Sequence, residues 1–437
     1  MSDLPQALTL SQIQGSFPEG GLFRGQNSWL LSPEPLQLDK ARVRYLQGLG
    51  GVLARFYDAC NAIYTASVKG KESPWVASLL DTGKPESLVA VQRSHSAKGA
   101  MPSVIRPDLI MTEQGWALTE LDSVPGGQGI TAFLSQLYSQ HGWNILGGEC
   151  GMVEGFRRAY PHETDLLVSA ESSDYRSETE YFAQLLGEGY QCCDAENYAQ
   201  RQGVDVYRFF ELFDCGNIPG ADQLLAQSVE SGGVRLSPPP VAHLEEKLWL
   251  ALLHTPGLRG VWSRHMRGAH LERMKELVPH SWVVDPTPLP PQASLPWINA
   301  HDWSEVGQLS QKGRRLVLKI SGFSELAWGS RGVYIGHDMS SEDWQRALDV
   351  ALGQFESSPW ILQEFHAGQV IEHPYYDRET GLVRTMKGRV RLCPYYYRDP
   401  QGKTELGGCL ATIAPEDKKK IHGMKDAILV PVALATR

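Results

Sequence analysis

Apolar residues recur every three to four positions through residues 38–68, LDKARVRYLQGLGGVLARFYDACNAIYTASV, and that period predicts a helix. The shorter run LVAVQRS, rich in valine, reads as a strand. VIRPDLIMTEQGWALTELDSV reads as two strands joined by the turn TEQG, and GQGITAFLSQLYSQ as a helix opening after glycines. Through 164–196 the order is strand TDLLVSA, helix SETEYFAQLLGEG and strand YQCCDA, with Ser177 as N-cap and Glu180 three residues on. One βαβ unit of this kind predicts a parallel, Rossmann-like piece, which VDVYRFFELFD continues. In LSPPPVAHLEEKLWLALL the prolines close one element before a helix begins, and WVVDPTPLPPQASLPWINAHDW is a connector rich in proline and tryptophan. Strand signals dominate the remainder: RRLVLKIS, VYIG, WILQEFHAG, and GRVRLCPYYYRD paired with GGCLATIAP around RDPQGK. SSEDWQRALDVALGQF, among them, carries a capping signature and helical spacing. Helices alternating with strands predict an α/β or α+β fold, and the absence of a repeat of roughly 20–50 residues disfavours solenoids and propellers.

Composition narrows this only slightly. A chain of 437 residues with 42% apolar and 21% charged residues can bury a full core and predicts two or three domains or one large composite. The formal charge of −9 argues against a generic binder of nucleic acid or anionic membrane, while leaving room for a local basic pocket. Seven scattered cysteines show no zinc spacing and no CxxC pair, which predicts reduced thiols in a cytoplasmic protein. The N-terminal residues lack the pattern of a signal peptide, and no run reaches the roughly 18 apolar residues a membrane span needs. The sequence leaves the oligomeric state open.

The candidate chemistry begins with Asp108, Glu120 and Asp122. Side chains alternate across a strand, so Glu120 and Asp122 share a face, and a hairpin would set Asp108 opposite them. Three oxygen donors on one sheet face suit Mg²⁺; a solvated polar face is the plainer alternative. Arg106, two residues before Asp108, faces the same side and can neutralise a phosphate or an oxyanion. Pro125, Gly126 and Gly127 follow as a turn. Further on, Lys319 ends an apolar strand and precedes a loop containing Gly322, Gly329, Ser330 and Gly332. A lysine with a glycine-rich loop between two strands can cover a triphosphate, although the order is not that of a Walker A motif. Gln363, Glu364 and Phe365 leave the strand WILQEFHAG and can offer hydrogen bonds and an apolar wall to a purine. Lys247 lies in the predicted helix LEEKLWLALL, where a surface lysine paired with a neighbouring glutamate is the ordinary outcome. Arg389 and Arg391 share a strand face and can take a carboxylate or phosphate bidentately.

In this order the pieces resemble the ATP-grasp superfamily in its circularly permuted form, as in glutathionylspermidine synthase and eukaryotic-type glutathione synthetase. ELDSVPGG at 120–127 is similar to the family's metal strand E-x-N-x-x-P-G, and Arg106-Pro107-Asp108 to the strand before it. SPPPVAHLEEKLW and RMKELVPHSWVVDP match more loosely, and Asp122 replaces the usual asparagine. The resemblance implies an ATP-grasp core with an inserted Rossmann-like, pre-ATP-grasp α/β domain. The expected domains are 1–160 with the metal hairpin, 161–240 as the insert, and 241–437 with lysine helix, lid and adenine hinge. It further implies ATP-dependent ligation of a small carboxylate to an amine through an acylphosphate, with Mg²⁺ as two ions. Asp108, Glu120 and Asp122 would hold metal. Lys247 and Lys319 would contact phosphates under a 322–332 lid, with adenine against Gln363, Glu364 and Phe365. Arg106 would stabilise the oxyanion, and Arg389 and Arg391 would bind substrate. Two other readings stand beside this one: a degenerate nucleotide-binding protein, and a small-molecule phosphotransferase on the same fold.

Overall fold

A computed structural model of the 437-residue chain describes residues 5–18, 29–122, 124–230, 233–290, 293–418 and 425–435, with side chains at 328–330 left aside. It is a mixed α/β structure that divides into two compact units interleaved along the chain. Unit 1 comprises residues 1–55, 100–240 and 368–437; unit 2 comprises 56–99 and 241–367. In chain order the strands are β1 Leu36–Leu38, β2 Val104–Thr112, β3 Gly115–Asp122, β4 Thr164–Val168, β5 Tyr190–Asp194, β6 Asp205–Phe209 and β7 Leu236–Ser237. They continue as β8 Ser281–Val283, β9 Leu316–Ile320, β10 Val333–Ile335, β11 Trp360–Glu364, β12 Val370–Tyr376, β13 Val383–Arg398, β14 Thr404–Pro415 and β15 Ile428–Leu434.

Unit 1 is organised by a sheet in the order β1-β15-β14-β13-β2-β3, with β12 also paired to β13. The expected hairpin of β2 and β3 forms with an antiparallel register that sets Arg106 opposite Asp122 and Asp108 opposite Glu120. A bulge follows at Asp108/Leu109 and re-aims the strand beside the acids. The predicted turn RDPQGK joins β13 and β14, which pair antiparallel. Helices Gln128–Gln140 and Gly151–Ala159 pack on this sheet. A second sheet of unit 1, β5-β4-β6-β7, is parallel throughout, as the βαβ reading required. β4 and β6 are buried along their whole length, Thr164, Asp165, Asp205 and Arg208 included.

Unit 2 contains the antiparallel sheet β10-β9-β11-β8. The helix Ser341–Gly353, capped by Ser340 as its sequence predicted, covers one face. Trp344, Leu348 and Ala351 join Leu316, Leu318, Ile320, Trp360 and Leu362 in that core. Lys319 and Gln363 therefore alternate to the opposite face.

Local expectations fail in three places. LVAVQRS is a helix, Glu86–Arg93, because only Leu88 and Gln92 are buried, four residues apart on one helical face. Pro85 precedes it and Glu86 opens its first turn, both favourable to a helix start. The helix Arg176–Leu186 starts before Ser177, out of a 3₁₀ turn, and has no side-chain cap. Lys247 precedes rather than occupies its helix, Leu248–His254, and is buried rather than exposed. The 29-residue helix Lys40–Val68 matches its predicted span, and Asp39 Oδ1 caps it by accepting from the amides of Ala41 and Arg42, each at 2.9 Å.

Candidate functional site

In unit 1 the hairpin gathers acids and arginines. Asp108 is 6% exposed; one oxygen accepts from Arg391 Nη1 at 3.0 Å, and the other lies 3.3 Å from Arg106 Nη2. The Cys393 thiol donates to Asp108 Oδ1 at 3.4 Å. Arg106 also pairs with Asp122 and donates to the Gly126 carbonyl at 2.9 Å. Asp122 Oδ1 accepts from the Val124 amide at 3.0 Å. Glu120 is half-buried opposite Asp108. Burial raises the pKa of Asp122; Arg106 opposes this, and the neighbouring Glu120 and Asp108 add to it. Burial works against the Arg106 charge, yet Asp122 and Asp108 hold the guanidinium well above its ordinary range. Three acids thus stand against two arginines, and burial is the main cause of the rise at Asp122. The Nε atoms of Arg106 and Arg391 are both buried and lack a hydrogen-bond partner among the described residues. A buried N–H without an acceptor is costly, so these two donors suit a bound anion or ordered water.

The turn after β3 is held from behind. Gly126 O accepts from the Tyr395 hydroxyl at 2.5 Å as well as from Arg106. Gly127 has φ of +85°, a left-handed conformation that a side chain would strain, and caps the helix Gln128–Gln140. Glu178 reaches that helix start from a neighbouring helix: its oxygens accept from the amides of Gly127 at 2.5 Å and Ile130 at 3.2 Å. Burial lifts its pKa to about 7, against the pull of those two amides. Neither Glu178 nor Tyr395 stood out in the sequence, since their partners lie 51 and 269 residues away.

Unit 2 brings together the lysines. Lys319 Nζ, on a residue 7% exposed, donates to Gln363 Oε1 at 2.7 Å, and Gln363 Nε2 donates to Ser281 Oγ at 3.1 Å. Gln363 is thereby a buried bracket for Lys319. The amides of Glu364 and Phe365 donate within the sheet, to His280 O at 2.8 Å and Arg315 O at 2.9 Å. Phe365 meets the His337 ring edge-on at 4.5 Å, and Glu364 is exposed.

Where β9 ends, Ser321 Oγ accepts from the Leu248 amide at 3.3 Å, setting Lys247 beside the root of the glycine loop. Gly322 is required there: a Cβ on it would lie 1.8 Å from Glu245 O. Glu246 accepts from the Gly322 amide at 3.0 Å, from Ser321, and from Lys84. The side chains of Lys84 and Glu246 are 0% and 2% exposed, making this a fully buried ion pair. Lys84 also donates to Leu80 O at 2.6 Å. No local pattern marked it; the partners are 162 residues apart.

Gly332 closes the loop against β9, its carbonyl accepting from the Ile320 amide at 3.0 Å. Gly329 and Ser330 lie in the 3₁₀ turn Glu325–Ser330, and their side chains fall outside the described residues. Arg389 and Arg391 part company despite their shared strand: Arg391 is tied to Asp108, Arg389 to the Glu416 carbonyl.

Hard carboxylate oxygens and surplus negative charge fit Mg²⁺ in their chemistry. In their arrangement, Asp108 and Asp122 are engaged by guanidinium groups. Among the described residues no three acidic, histidine or cysteine side chains converge as metal ligands. No helix among those residues is long and apolar enough to cross a membrane.

No family model and no curated protein sequence matches the chain. Among solved structures, it matches a glutathione synthetase-like effector from Globodera pallida with a TM-score of 0.53 and 12% identity, over 93% of this chain and 90% of that one. A structure from Methylobacillus flagellatus, provisionally named a gamma-glutamylcysteine synthetase, matches with a TM-score of 0.39 and 10% identity over 87% and 88%, too loosely to define a fold. The chain thus has a glutathione synthetase-like fold.

Proposed function

We propose that the chain is an ATP- and Mg²⁺-dependent ligase that joins a small carboxylate to an amine through an acylphosphate, on a circularly permuted ATP-grasp core. In this reading the parallel sheet β5-β4-β6-β7 is the inserted pre-ATP-grasp domain. The reading rests above all on one observation: Asp108, Glu120 and Asp122 gathered with two arginines whose buried Nε–H groups lack an acceptor among the described residues. Such a cluster offers both cation and anion sites side by side. Asp108, Glu120 and Asp122 would hold Mg²⁺, which when bound supplies charge neutralisation to the phosphates and the developing oxyanion.

Arg106 and Arg391 bind and orient the anionic substrate group, and Arg106 stabilises the oxyanion during acyl transfer. Lys319, fixed by Gln363, and Lys247 bind phosphate oxygens. The loop 322–332 covers them and excludes water, which protects a reactive acylphosphate from hydrolysis. With the amides of Glu364 and Phe365 spent in the sheet, the adenine wall falls to the Phe365 ring. ADP release from Mg-ATP, followed over a panel of amino acids, short peptides and amines with mass detection of an amide, tests the reading. An acceptor-dependent amide with matched ADP is the expected result. A phosphorylated product in its place would select the phosphotransferase.

A second reading is favoured by the engagement of Asp108 and Asp122 with arginines: a protein that binds nucleotide without turnover. Calorimetric titration that shows Mg-ATP binding, with no ADP released by any acceptor, would establish it.

A further inference from the structure

A pocket of about 480 Å³ lies in unit 2 beside the edge strand β8, lined by neither Lys247, Lys319 nor the 322–332 loop. That volume falls within the range of small-molecule sites, roughly 300–1,000 Å³. Its walls are aromatic: Trp75, His280, Trp282 and Phe355 all contribute. His280 anchors them, its ring centroid 4.6 Å from Trp282, 4.6 Å from His254 and 5.3 Å from Trp297. Trp75 is 45% exposed and Trp297 84% exposed, so large ring surface is left at the rim. Trp297 moreover holds φ of +70°, a conformation that strains a bulky residue and keeps its indole beside His280.

The charge of the pocket has one sign. Asp285 and Glu356 line it, and no lysine or arginine is among its described lining residues. Burial lowers the pKa of both histidines; His280, helped by His254, titrates at about 4, so both rings are neutral at pH 7. His254 Nε2 lies 3.0 Å from the Val278 carbonyl, which can only accept, so Nε2 carries the proton and Nδ1 is an acceptor. The pocket therefore offers aromatic faces, acceptors and carboxylates, and the lysine charge felt at His254 comes from Lys275, outside the described lining.

We infer that this pocket binds a small organic cation, an ammonium group on an apolar or aromatic body. Ring faces attract a cation through their quadrupole, the carboxylates neutralise it, and the apolar walls take up its body. An anion such as a nucleotide triphosphate meets the two lining carboxylates here. The inference stands independently of the ligase reading, because its test measures binding and not turnover.

The test is calorimetric titration of the full chain with three probes of one shape: 2-phenylethylammonium, 2-phenylethanol and phenylacetate. The cation is expected to bind about tenfold tighter than the alcohol, with phenylacetate weakest. Trp75→Ala and Glu356→Gln, both at exposed positions outside the proposed nucleotide site, are each expected to weaken the cation several-fold while leaving the melting curve unchanged. Equal binding of the three probes, no saturable binding of the cation, or insensitivity to both substitutions overturns the inference. Adenosine binding tighter than the cation, and lost in Trp75→Ala, also overturns it by making the pocket a nucleoside site.

Discussion

Asp108 and Asp122 are held by guanidinium groups, and Glu120 lies opposite Asp108 on the neighbouring strand. In the proposed ligase reading Glu120 shares the metal with both, and changing it leaves the two arginine pairs in place. Glu120→Gln keeps the shape of a half-buried side chain and removes its charge. Mg-dependent ADP release is expected to fall by about 100-fold or more, with the thermal transition unaltered. Turnover at the wild-type rate would sink the metal assignment. Lys319 is the corresponding test in unit 2. Its buried ammonium donates to Gln363, a neutral side chain that holds it in place. Lys319→Ala should weaken ATP binding about tenfold or more, the worth of one hydrogen bond to a charged group. An unchanged dissociation constant in calorimetry would mean that β9 is not the phosphate strand.

Among elements, those whose partners are near in sequence were legible and those assembled from afar were not. The β2–β3 hairpin announced itself by alternation and by the turn between its strands, and β4 and β5 by short strand-like segments on either side of one helix. The helix Glu86–Arg93 was misread because valine and leucine mimic a strand, while the fact that decides it lies elsewhere: Gln92 is buried against Tyr64 and Asp81. Arg391 and Glu178 complete the acid cluster and the helix start from 283 and 51 residues away; GRVRLC marked Arg391 as a binder of carboxylate without pointing to Asp108, and nothing in SETEYF marked Glu178. The Lys84–Glu246 pair is the strongest such case, because it fixes the root of the glycine loop. Lys84→Met would leave Glu246 buried, charged and unpaired, which costs about 3–5 kcal/mol. The double variant Lys84→Met/Glu246→Gln keeps an acceptor for Ser321 and Gly322 without the charge, and should recover most of the loss. Denaturant midpoints for wild type, single and double variants check this; a shift under about 1 kcal/mol in Lys84→Met would show the pair to be dispensable.

On the scale of the whole molecule, the two units should answer acid differently, because their buried titratable groups are of opposite kinds. In unit 2, burial chiefly, with Lys84 adding, lowers His243 to about 3, and burial chiefly, with His254 adding, lowers His280 to about 4. Below the ordinary histidine pKa of 6.5 the unfolded chain takes up protons that the folded unit cannot hold. Stability is then lost at up to about 1.4 kcal/mol per pH unit for each such group as pH falls. In unit 1, burial lowers His373 to about 4, which acts in the same direction. There, however, Glu178 opposes it: with a folded pKa of about 7 against an ordinary 4.5, it keeps a proton that the unfolded chain gives up. Its contribution is greatest below pH 4.5 and is lost as pH rises through 7, so acidification strengthens unit 1 through this group; Asp122 and Glu34, raised mainly by burial, act in the same sense. Acidification from pH 7 to 4.5 should therefore loosen unit 2 first and leave unit 1 nearly constant. Hydrogen exchange resolved by segment, at a series of pH values, reads the two separately. His243→Phe keeps a ring on Tyr64, whose centroid is 3.9 Å away, and removes the proton site. It should flatten the acid slope in unit 2 alone, whatever it does to absolute stability. Earlier opening of unit 1, or an unchanged slope in that variant, would overturn this division of labour between buried imidazoles and buried carboxyls.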